Sequence, residues 1–319
     1  MFEGRWVAVV VPAHNEEKLI SRVLETMPPL VDRIVVVDDV SADRTFDILT
    51  AARERFGCRL HVIRHERNLG VGGAIVTGYK AVMEEKPPSN ALVAVMAGDA
   101  QMDPEDLPKI LAPLVKDEAD YVKGNRLFTG EAWRIIPRHR YLGNAVLSFL
   151  TKVASGYWHV ADSQSGYTAI TIDALRVLQL DRLYKRYGFP NHLLVELNND
   201  NFRVRDVPIR PVYNIGEVSG MSLPRVVPTL SWLLVKCYFW RMKEKYIIRD
   251  FHPLVFFLAF GLFLVGGGLL LGAYLIYLRL TVGALSPTAA IFDAFCLIMG
   301  VQMLFFAMWM DMEHNKGLK

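Results

Sequence analysis

Short apolar runs alternate with segments of helical periodicity through the first two-thirds of the chain. The runs that we predict to be buried strands are WVAVVVP, DRIVVVDD, LHVIRH and ALVAVMAGD. The intervening segments predict helices, among them VGGAIVTGYKAVMEE and a helix that Ser41 caps and Gly57 ends. Alternation of this kind, with continuous Val and Ile runs, is typical of a parallel sheet covered by helices on both faces. The pattern therefore predicts an α/β domain with a mostly parallel sheet over residues 1–220.

Two long apolar stretches give the last part of the chain a different character. Leu254 to Leu278 contains no charged residue, and its length exceeds the ~20 residues that cross a hydrocarbon core of ~30 Å. Ala284 to Met310 is also long enough, and it carries Asp293 and Gln302. A carboxylate near the start of a span is accommodated at the membrane interface. We therefore predict a transmembrane hairpin with a short C-terminal tail over residues 253–319.

The segment before the first span, residues 221–252, mixes aromatic and basic side chains. Trp232, Phe239 and Trp240 lie among cations, which is typical of an interfacial amphipathic helix on anionic headgroups and also fits an ordinary surface helix. Many basic residues precede the first span, whereas the loop between the spans offers Arg279 alone. The positive-inside rule then predicts an integral membrane protein whose N-terminal domain and both termini are cytoplasmic.

The composition excludes several classes of protein. The 319 residues are 52% hydrophobic and 22% charged, which excludes a disordered chain, a collagen-like chain and a small disulfide scaffold. The 36 basic and 33 acidic residues give a net charge of +3, so no overall field favours nucleic acid. The three cysteines are far apart and match neither a zinc spacing nor a disulfide framework, which favours a reducing compartment.

Three polar clusters directly follow predicted strands. Residues 13–16 (AHNE) come after the first strand, Asp38 and Asp39 after the second, and residues 98–101 (GDAQ) after the fourth. Because ligands bind beyond the carboxyl ends of parallel strands, we expect the three clusters to line one site. The glycine-rich segment that begins at Gly70 lacks the third glycine of a dinucleotide fingerprint and follows the third strand, which excludes a Rossmann dehydrogenase.

Asp99 and Gln101 lie two positions apart at a predicted strand end, so their side chains can turn toward one point. A carboxylate and an amide oxygen are hard ligands that suit Mg²⁺ or Mn²⁺ bound to substrate phosphates. An acidic strand end is also common as a turn or helix cap, and Asp103 fits that description. Asp38 and Asp39 suit hydrogen bonds to a ribose or base and equally an Asx-type turn. At this level both kinds of role stay open.

Six motifs occur in an order that resembles a known family. VPAHNEE, VVDDVSADRT, RNLGVGGAIVTGYKA, GDAQMDPEDLP, YVKGNR and DSQSGYTAI follow one another as they do in GT-A-fold, family 2 glycosyltransferases. With two C-terminal spans, the chain most resembles the polyprenyl-phosphate glycosyltransferases of the dolichol-phosphate mannose synthase type. The resemblance covers residues 5–220 in motif and the remainder in architecture.

The resemblance implies a role for each matching position. The nucleotide pocket is expected to comprise Pro12, Ala13, Asn15, Glu16, Asp38, Asp39, Gly70 and Asp99. Asp39 would reach the base, and Asp99 with Gln101 would hold the Mg²⁺ or Mn²⁺ that bridges the sugar-nucleotide diphosphate. Asp162 and Gln164 would border the sugar. The acceptor phosphate would meet Arg126, Arg138, Arg140 and Ser165, and the residues expected to be catalytic are Asp99, Gln101 and Arg126.

Two positions depart from the family pattern. Val40 replaces the glycine usual after the paired aspartates, which allows a different turn there. The segment GDAQ stands in place of the fuller DADLQ of mannose synthases, leaving Ala97 where their first aspartate would be. The sequence therefore leaves the sugar open among glucose, mannose, N-acetylglucosamine and galactose, and the nucleotide open between UDP and GDP.

The function implied by the resemblance is inverting transfer of a sugar from a UDP- or GDP-linked donor to the phosphate of a polyprenyl phosphate at the cytoplasmic membrane face. A lipid phosphate with a second pKa of ~6 is mostly dianionic near pH 7, so it needs no protein base. The enzyme has to align that phosphate with the anomeric carbon and neutralise the departing diphosphate. The implied partners are a nucleotide sugar, a polyprenyl phosphate and the membrane, without nucleic acid.

Two other functions fit parts of the sequence. The alternative is a family 2 transferase that acts on a hydroxyl of a lipid or glycan, although neither a QxxRW motif nor additional spans occur. A membrane adaptor with a degenerate transferase fold is disfavoured because Asp99 and Gln101 are present. The oligomeric state stays open, and a homo-oligomer is compatible with the sequence, since Gly268 and Gly272 permit close helix packing without requiring it.

Overall fold

The computed structural model describes five stretches of the chain: 1–128, 138–210, 212, 223–283 and 286–319. Two segments within them are described by their backbone alone: 138–144 and 223–226. The chain forms two compact units, Met1–Tyr238 with Leu318–Lys319, and Phe239–Gly317. The boundary lies inside the predicted juxtamembrane segment 221–252, so that segment is divided between the two units.

A seven-stranded sheet forms the centre of the first unit. Its strands are β1 (Val7–Ala13), β2 (Arg33–Asp38), β3 (Leu60–Arg64), β4 (Leu92–Val95), β5 (Tyr121–Asn125), β6 (Thr168–Thr171) and β7 (Val204–Pro208). They lie in the order β3-β2-β1-β4-β6-β5-β7, and among these described strands β6 alone runs antiparallel to its neighbours. The predicted mostly parallel α/β sheet is confirmed.

Helices cover both faces of this sheet. The helices of this unit are, in chain order, α1 (Ile20–Glu25), α2 (Thr45–Phe56), α3 (Val71–Glu84), α4 (Leu107–Val115), α5 (Arg138–Ser155), α6 (Ile172–Val177), α7 (Phe189–Asn199) and α8 (Leu223–Lys243), which crosses into the second unit. Neighbouring side chains of β1 enter opposite apolar layers, Val10 with Tyr79 of α3 and Val9 with Leu111 of α4. Burial on both faces explains why β1 is an unbroken apolar run.

The start of α2 differs from the prediction. The helix begins at Thr45, so the prediction that Ser41 caps it is wrong. Ser41 is buried, and its Oγ accepts a hydrogen bond from the backbone N–H of Asn15 at 2.9 Å. The Asp43 carboxylate instead accepts from the backbone N–H of Thr45 at 3.0 Å. Ser41 therefore ties the loop after β2 to the loop after β1.

Two long antiparallel helices, α9 (Leu254–Thr281) and α10 (Pro287–His314), make up most of the second unit. Each has 28 residues, which is about 42 Å at the α-helical rise and exceeds a hydrocarbon core of about 30 Å. The core helix of a soluble protein is mostly buried. In each of these two helices, by contrast, only 17% of the apolar 18-residue stretch is buried. Gly268 of α9 gives room to Leu297 of α10, whose Cδ2 lies 2.7 Å from where a Cβ would be. Two helices of the described chain are thus long and apolar enough to cross a membrane.

A buried ion pair joins the segment before α9 to the end of α10. Arg241 donates from Nη1 and Nη2 to Oδ1 and Oδ2 of Asp311 at 2.7 and 3.0 Å. The Tyr246 hydroxyl donates to the same carboxylate at 2.6 Å, and Lys245 donates to Asn315 Oδ1 at 2.8 Å. Because the two charges are buried together, removing either one would take away the other's closest counter-charge.

Candidate active site

Non-glycine residues in the left-handed backbone region mark three of the strand-end loops. Asn15 after β1, Val40 after β2 and Ala100 after β4 have φ angles of 58°, 61° and 56°. Asparagine tolerates this region, whereas the β-branched Val40 is strained there. Val40 thus takes a conformation that glycine adopts without strain, at the position where the resembled family usually has glycine. Such strain persists where the surrounding structure imposes it, as at functional sites.

Backbone hydrogen bonds join these loops into one edge. The N–H of Asp39 donates to the carbonyl of Ala13 at 2.9 Å, and the N–H of Gly98 donates to the carbonyl of Pro12 at 3.0 Å. Asn15 Oδ1 accepts a hydrogen bond at 2.8 Å from the backbone after β2. The structure therefore brings the three predicted polar clusters together at the carboxyl edge of the sheet.

Asp39 uses its carboxylate to hold the loop that carries Gly70. Oδ1 accepts from the N–H of Leu69 at 2.8 Å and from Nδ1 of His65 at 2.7 Å, while Oδ2 accepts from the N–H of Gly70 at 2.7 Å. A hydrogen bond of 2.9 Å between Nε2 of His65 and the Thr77 hydroxyl holds the other side of the imidazole. Asp39 thereby brings Gly70 to the site and shapes its wall, and its contact with a base stays a prediction.

The Asp38 carboxylate stabilises the loop that follows β2. The side chain is fully buried, and its Oδ1 accepts from the backbone N–H of Ser41, three residues later, at 3.3 Å. Its Oδ2 lies 3.4 Å from Nε of Arg64. This contact spans one residue more than an Asx-turn, and the predicted contact of Asp38 with a nucleotide remains a prediction.

An acidic cluster lies where β1 and β4 end. Oδ1 of Asp99 accepts from the backbone N–H of Gln101, two residues later, at 3.1 Å, so Asp99 forms a turn at the end of β4. Burial and the negative charges of Asp99 and Asp43 raise the pKa of Glu16 to about 7. Carboxylates that repel one another are stabilised by a divalent cation, and the amide of Gln101 is a compatible ligand. Among the described residues, no three His, Cys, Asp or Glu side chains form a group that could hold a metal ion by themselves.

Arg126, after β5, is clamped by a buried carboxylate. Its Nε and Nη2 donate to Oδ2 and Oδ1 of Asp162 at 2.8 and 3.2 Å, and its backbone N–H donates to Oδ2 at 3.2 Å. Asp162 is 0% exposed, and its Oδ1 also accepts from the backbone N–H groups of Gln164 and Ser165. Burial alone would raise the pKa of Asp162, but Arg126 and Lys123 hold it below its usual range. Arg126 is therefore a cation whose direction Asp162 fixes.

Lys123 and Asp206 adjoin this pair, and the sequence analysis missed both. Lys123 on β5 is 0% exposed, and its Nζ donates to the carbonyl of Ser165 at 2.7 Å. Burial lowers the pKa of Lys123 to about 8, although the charges of Asp162 and Asp206 partly offset this effect. On β7, Asp206 Oδ2 accepts from the N–H of Ala161 at 2.6 Å, and burial raises the Asp206 pKa to about 6. The lysine within the apolar run YVKGNR was the signal that could have revealed this cluster.

The loop 162–167 contacts the segment 99–103. The Tyr167 hydroxyl donates to the carbonyl of Asp103 at 3.0 Å, which ties the two segments together. The loop whose Asp162 clamps Arg126 is therefore in contact with the segment that begins at Asp99.

For the other residues predicted to bind the acceptor, the structure gives less direct evidence. Ser165 is buried, and its backbone N–H and carbonyl are engaged by Asp162 and Lys123. Arg138 and Arg140 begin α5, and their side chains lie outside the described residues. Contact of these three residues with a phosphate stays a prediction.

Comparison with known proteins places this site in a family. The family model described as glycosyl transferase family 2 matches residues 8–178. A UDP-N-acetylglucosamine–dolichyl-phosphate N-acetylglucosaminyltransferase of Methanococcus voltae is 33% identical in an alignment of 220 residues that covers 65% of this chain and 86% of that protein. A dolichol-phosphate mannosyltransferase of Pyrococcus furiosus is 27% identical over 207 residues, 63% of this chain and 55% of that protein.

Solved structures show the same fold. The glucosyl-3-phosphoglycerate synthase of Mycobacterium tuberculosis superposes with a TM-score of 0.53 at 21% identity, covering 75% of this chain and 80% of that chain. This likeness confirms the GT-A fold. The family match includes all three strand-end clusters together with Arg126 and Asp162. This chain is a glycosyltransferase and belongs to glycosyl transferase family 2.

Proposed function

We propose that this enzyme transfers a sugar from a nucleotide sugar to the phosphate of a polyprenyl phosphate, with inversion at the anomeric carbon. The observation that carries the proposal is the contact between the segment that begins at acidic Asp99 and the loop whose Asp162 clamps the cation of Arg126. The guanidinium fork suits a phosphate acceptor better than a neutral hydroxyl. The relatives named as dolichyl-phosphate and dolichol-phosphate transferases support the same acceptor.

On the acceptor side, the chemistry needs alignment more than proton transfer. A phosphate monoester with a second pKa of ~6 is mostly dianionic near pH 7 and already nucleophilic. Asp162 fixes the plane of the Arg126 guanidinium, so the cation meets an incoming phosphate in one direction. Holding the phosphate oxygen in line with the anomeric carbon gives a single displacement, which inverts the configuration.

On the donor side, the residues at the ends of β1 and β4 neutralise and position the diphosphate. Asp99, Gln101 and Glu16 would hold Mg²⁺ or Mn²⁺, which when bound offsets the charge that develops on the leaving nucleotide. The left-handed Ala100 brings Asp99 and Gln101 into one tight turn. Asp39 holds the loop that carries Gly70, and we expect the nucleoside to lie against this loop.

The same proposal places the enzyme in a membrane. In addition to the spans α9 and α10, helix α8 exposes Trp232, with Lys236 Nζ 5.4 Å from its ring centroid. Helix α5 likewise exposes two apolar side chains, Val146 and Phe149. Outward apolar faces of this kind suit a membrane interface where a polyprenyl phosphate presents its head. The basic residues before α9 support a cytoplasmic position for the catalytic unit and both ends of the chain.

Transfer of labelled sugar by membranes that contain the full chain tests the proposal. UDP-N-acetylglucosamine, UDP-glucose and GDP-mannose are each offered with polyprenyl phosphate and Mg²⁺ or Mn²⁺. We expect one donor to give a polyprenyl-phosphate sugar, with activity abolished by EDTA and lowered about a hundredfold in Asp99→Asn. The matched variant Asp173→Asn, at an exposed position of α6, should retain full activity.

Two outcomes would contradict parts of the proposal. Label recovered on a lipid or glycan hydroxyl, with none on the phosphate, would replace the acceptor and support the alternative family 2 reaction. Turnover unchanged in EDTA and in Asp99→Asn would exclude the metal role of the acidic cluster while leaving the acceptor assignment intact.

A further inference from the structure

A chain of buried hydrogen bonds runs from α5 to Gln164. The Thr151 hydroxyl donates to the carbonyl of Leu147, one turn earlier in α5, at 2.7 Å. Nδ2 of Asn191, on α7, donates to Oγ1 of Thr151 at 2.7 Å. Nε2 of Gln164 in turn donates to Oδ1 of Asn191 at 3.4 Å. Asn191 is 0% exposed, so this chain is sealed from solvent at its centre.

The first link fixes the direction of the whole chain. A carbonyl can only accept, so the single hydroxyl proton of Thr151 is committed to Leu147. Thr151 can then only accept from Asn191, which turns the amide nitrogen of Asn191 toward α5 and its oxygen toward Gln164. Gln164 must therefore offer an N–H at that point.

The other amide proton of Gln164 is engaged as well. Nε2 donates to Oγ of Ser163 at 2.9 Å, and that hydroxyl lies 3.2 Å from Oγ of Ser148 on α5. In the described part of the chain, Oε1 of Gln164 has no hydrogen-bond partner, whereas both protons of Nε2 have one. Gln164 therefore presents an acceptor and no donor.

This oxygen belongs to a residue on the wall of the active site. The backbone N–H of Gln164 donates at 3.2 Å to Oδ1 of Asp162, the carboxylate that clamps Arg126. The same loop contacts the segment 99–103 through Tyr167. Gln164 thus lies on the loop that links the cationic and the acidic sides of the site.

We propose that Asn191 is a positioning residue that holds the Gln164 amide oxygen toward the transferred sugar, where it accepts a hydrogen bond from an O–H or N–H group. This inference rests on the proposed function. An acceptor-only contact favours a sugar with a hydroxyl or acetamido N–H at that position over one that lacks it, because an unpaired polar group destabilises the complex. Asn191 is buried and acts through Gln164.

Donor binding to the full chain in detergent, measured by titration calorimetry, tests the inference. The probes are UDP-N-acetylglucosamine, UDP-glucose, GDP-mannose, the free nucleotides, and single-deoxy analogues of the nucleotide sugar that binds most tightly. We expect Gln164→Met to weaken the intact donor by roughly tenfold to a hundredfold and to leave the free nucleotide unaffected. One deoxy analogue should bind wild type and variant equally, and Asn191→Leu should give the same pattern.

Matched variants separate positioning from general damage. Thr151→Val removes the hydroxyl that starts the chain, whereas Thr151→Ser keeps it, so we expect the valine variant alone to lose donor selectivity. The control variant Gln179→Met introduces the same glutamine-to-methionine substitution at an exposed position. It should bind every probe with the affinity of the wild type.

Two results would overturn the inference. In the first result, the variants bind the intact donor, all the deoxy analogues and the free nucleotide more weakly to the same extent, which indicates a structural role alone. In the second, Asn191→Leu keeps the selectivity of wild type. Because the measurement is of donor binding, discovery of a hydroxyl acceptor would refute the proposed function without changing this result.

Discussion

Replacing Asp206 with asparagine should change how the stability of the catalytic unit depends on pH. Asp206 Oδ2 accepts from Nδ2 of Asn125 at 3.2 Å and from the N–H of Ala161 at 2.6 Å. Its Oδ1 is buried and has no hydrogen-bond partner in the described part of the chain. Burial raises the Asp206 pKa from 3.8 to about 6, despite the nearby charge of Lys123.

The magnitude follows from that difference in pKa. At about 1.4 kcal/mol per pKa unit, the proton on folded Asp206 is favoured by about 3 kcal/mol. Because the folded pKa is raised, this contribution is fully present below about pH 4 and is lost as the pH rises through about 6. Asparagine is neutral throughout this pH range, so the Asp206→Asn variant should not lose this contribution to its free energy of unfolding as the pH rises.

Thermal unfolding of the full chain in detergent, from about pH 4 to about pH 8, measures the effect. About 3 kcal/mol corresponds to roughly 6–12 °C in Tm for a unit of this size. The Tm of Asp206→Asn relative to wild type should rise by that amount over the range, while the exposed control Asp173→Asn stays parallel to wild type. A difference that is the same at every pH would refute the reasoning, since folded Asp206 would then be ionised throughout.

Three further changes probe other parts of the structure. Val40→Gly relieves the strain of a φ of 61° and should raise Tm by roughly 2–4 °C, a net gain of about 1 kcal/mol in thermal unfolding. Gly72→Ala places a Cβ 2.6 Å from the carbonyl oxygen of Tyr184 and should lower the free energy of unfolding by about 1–3 kcal/mol, measured the same way. Asp311→Asn removes the charge that faces buried Arg241 and should cost the second unit about 3–5 kcal/mol, measured as protease sensitivity in detergent.

Each of these changes has a matched comparison. Val40→Ala retains a side chain in the left-handed region and should gain less than Val40→Gly. Gly317→Ala meets no atom within 4 Å and should be silent. Glu313→Gln breaks the exposed ion pair with Lys316 and should cost less than about 1 kcal/mol. Equal effects within any of the three pairs would contradict the explanation offered for that pair.

The parallel part of the sheet was predictable because its strands are buried on both faces. Such strands are continuous Val and Ile runs, and their carboxyl ends necessarily meet at one edge, which is why the polar clusters converge as expected. The insertion of β6 between β4 and β5 was not predictable in this way. β6 has only four residues, and its antiparallel pairing depends on packing rather than on its order in the chain.

The charged part of the site required tertiary information. The resemblance supplied Asp162 and Gln164 as candidates. Lys123 contacts the loop that carries them by a hydrogen bond to the carbonyl of Ser165, which is 42 positions later in the sequence. The orientation of Gln164 depends on Asn191 and Thr151, which are 40 positions apart. Local periodicity carries no information about contacts between residues 40 or more positions apart in the sequence. Lys123, Asn191 and Thr151 are therefore identified as supporting residues by the folded structure alone.

Two destabilising groups of the first unit, Lys123 and Asp206, lie opposite each other on the neighbouring strands β5 and β7. Lys123 is a buried cation, and Asp206 is a buried carboxyl with an oxygen that no described residue pairs. Stabilising substitutions are generally easy to find, so unfavourable groups that persist together around one site indicate that their geometry and charge serve binding and catalysis. The Arg241–Asp311 pair of the second unit is different, because its charges satisfy each other. Substitutions of Lys123 and Asp206 should therefore gain stability and lose activity, whereas those at the ion pair should lose stability first.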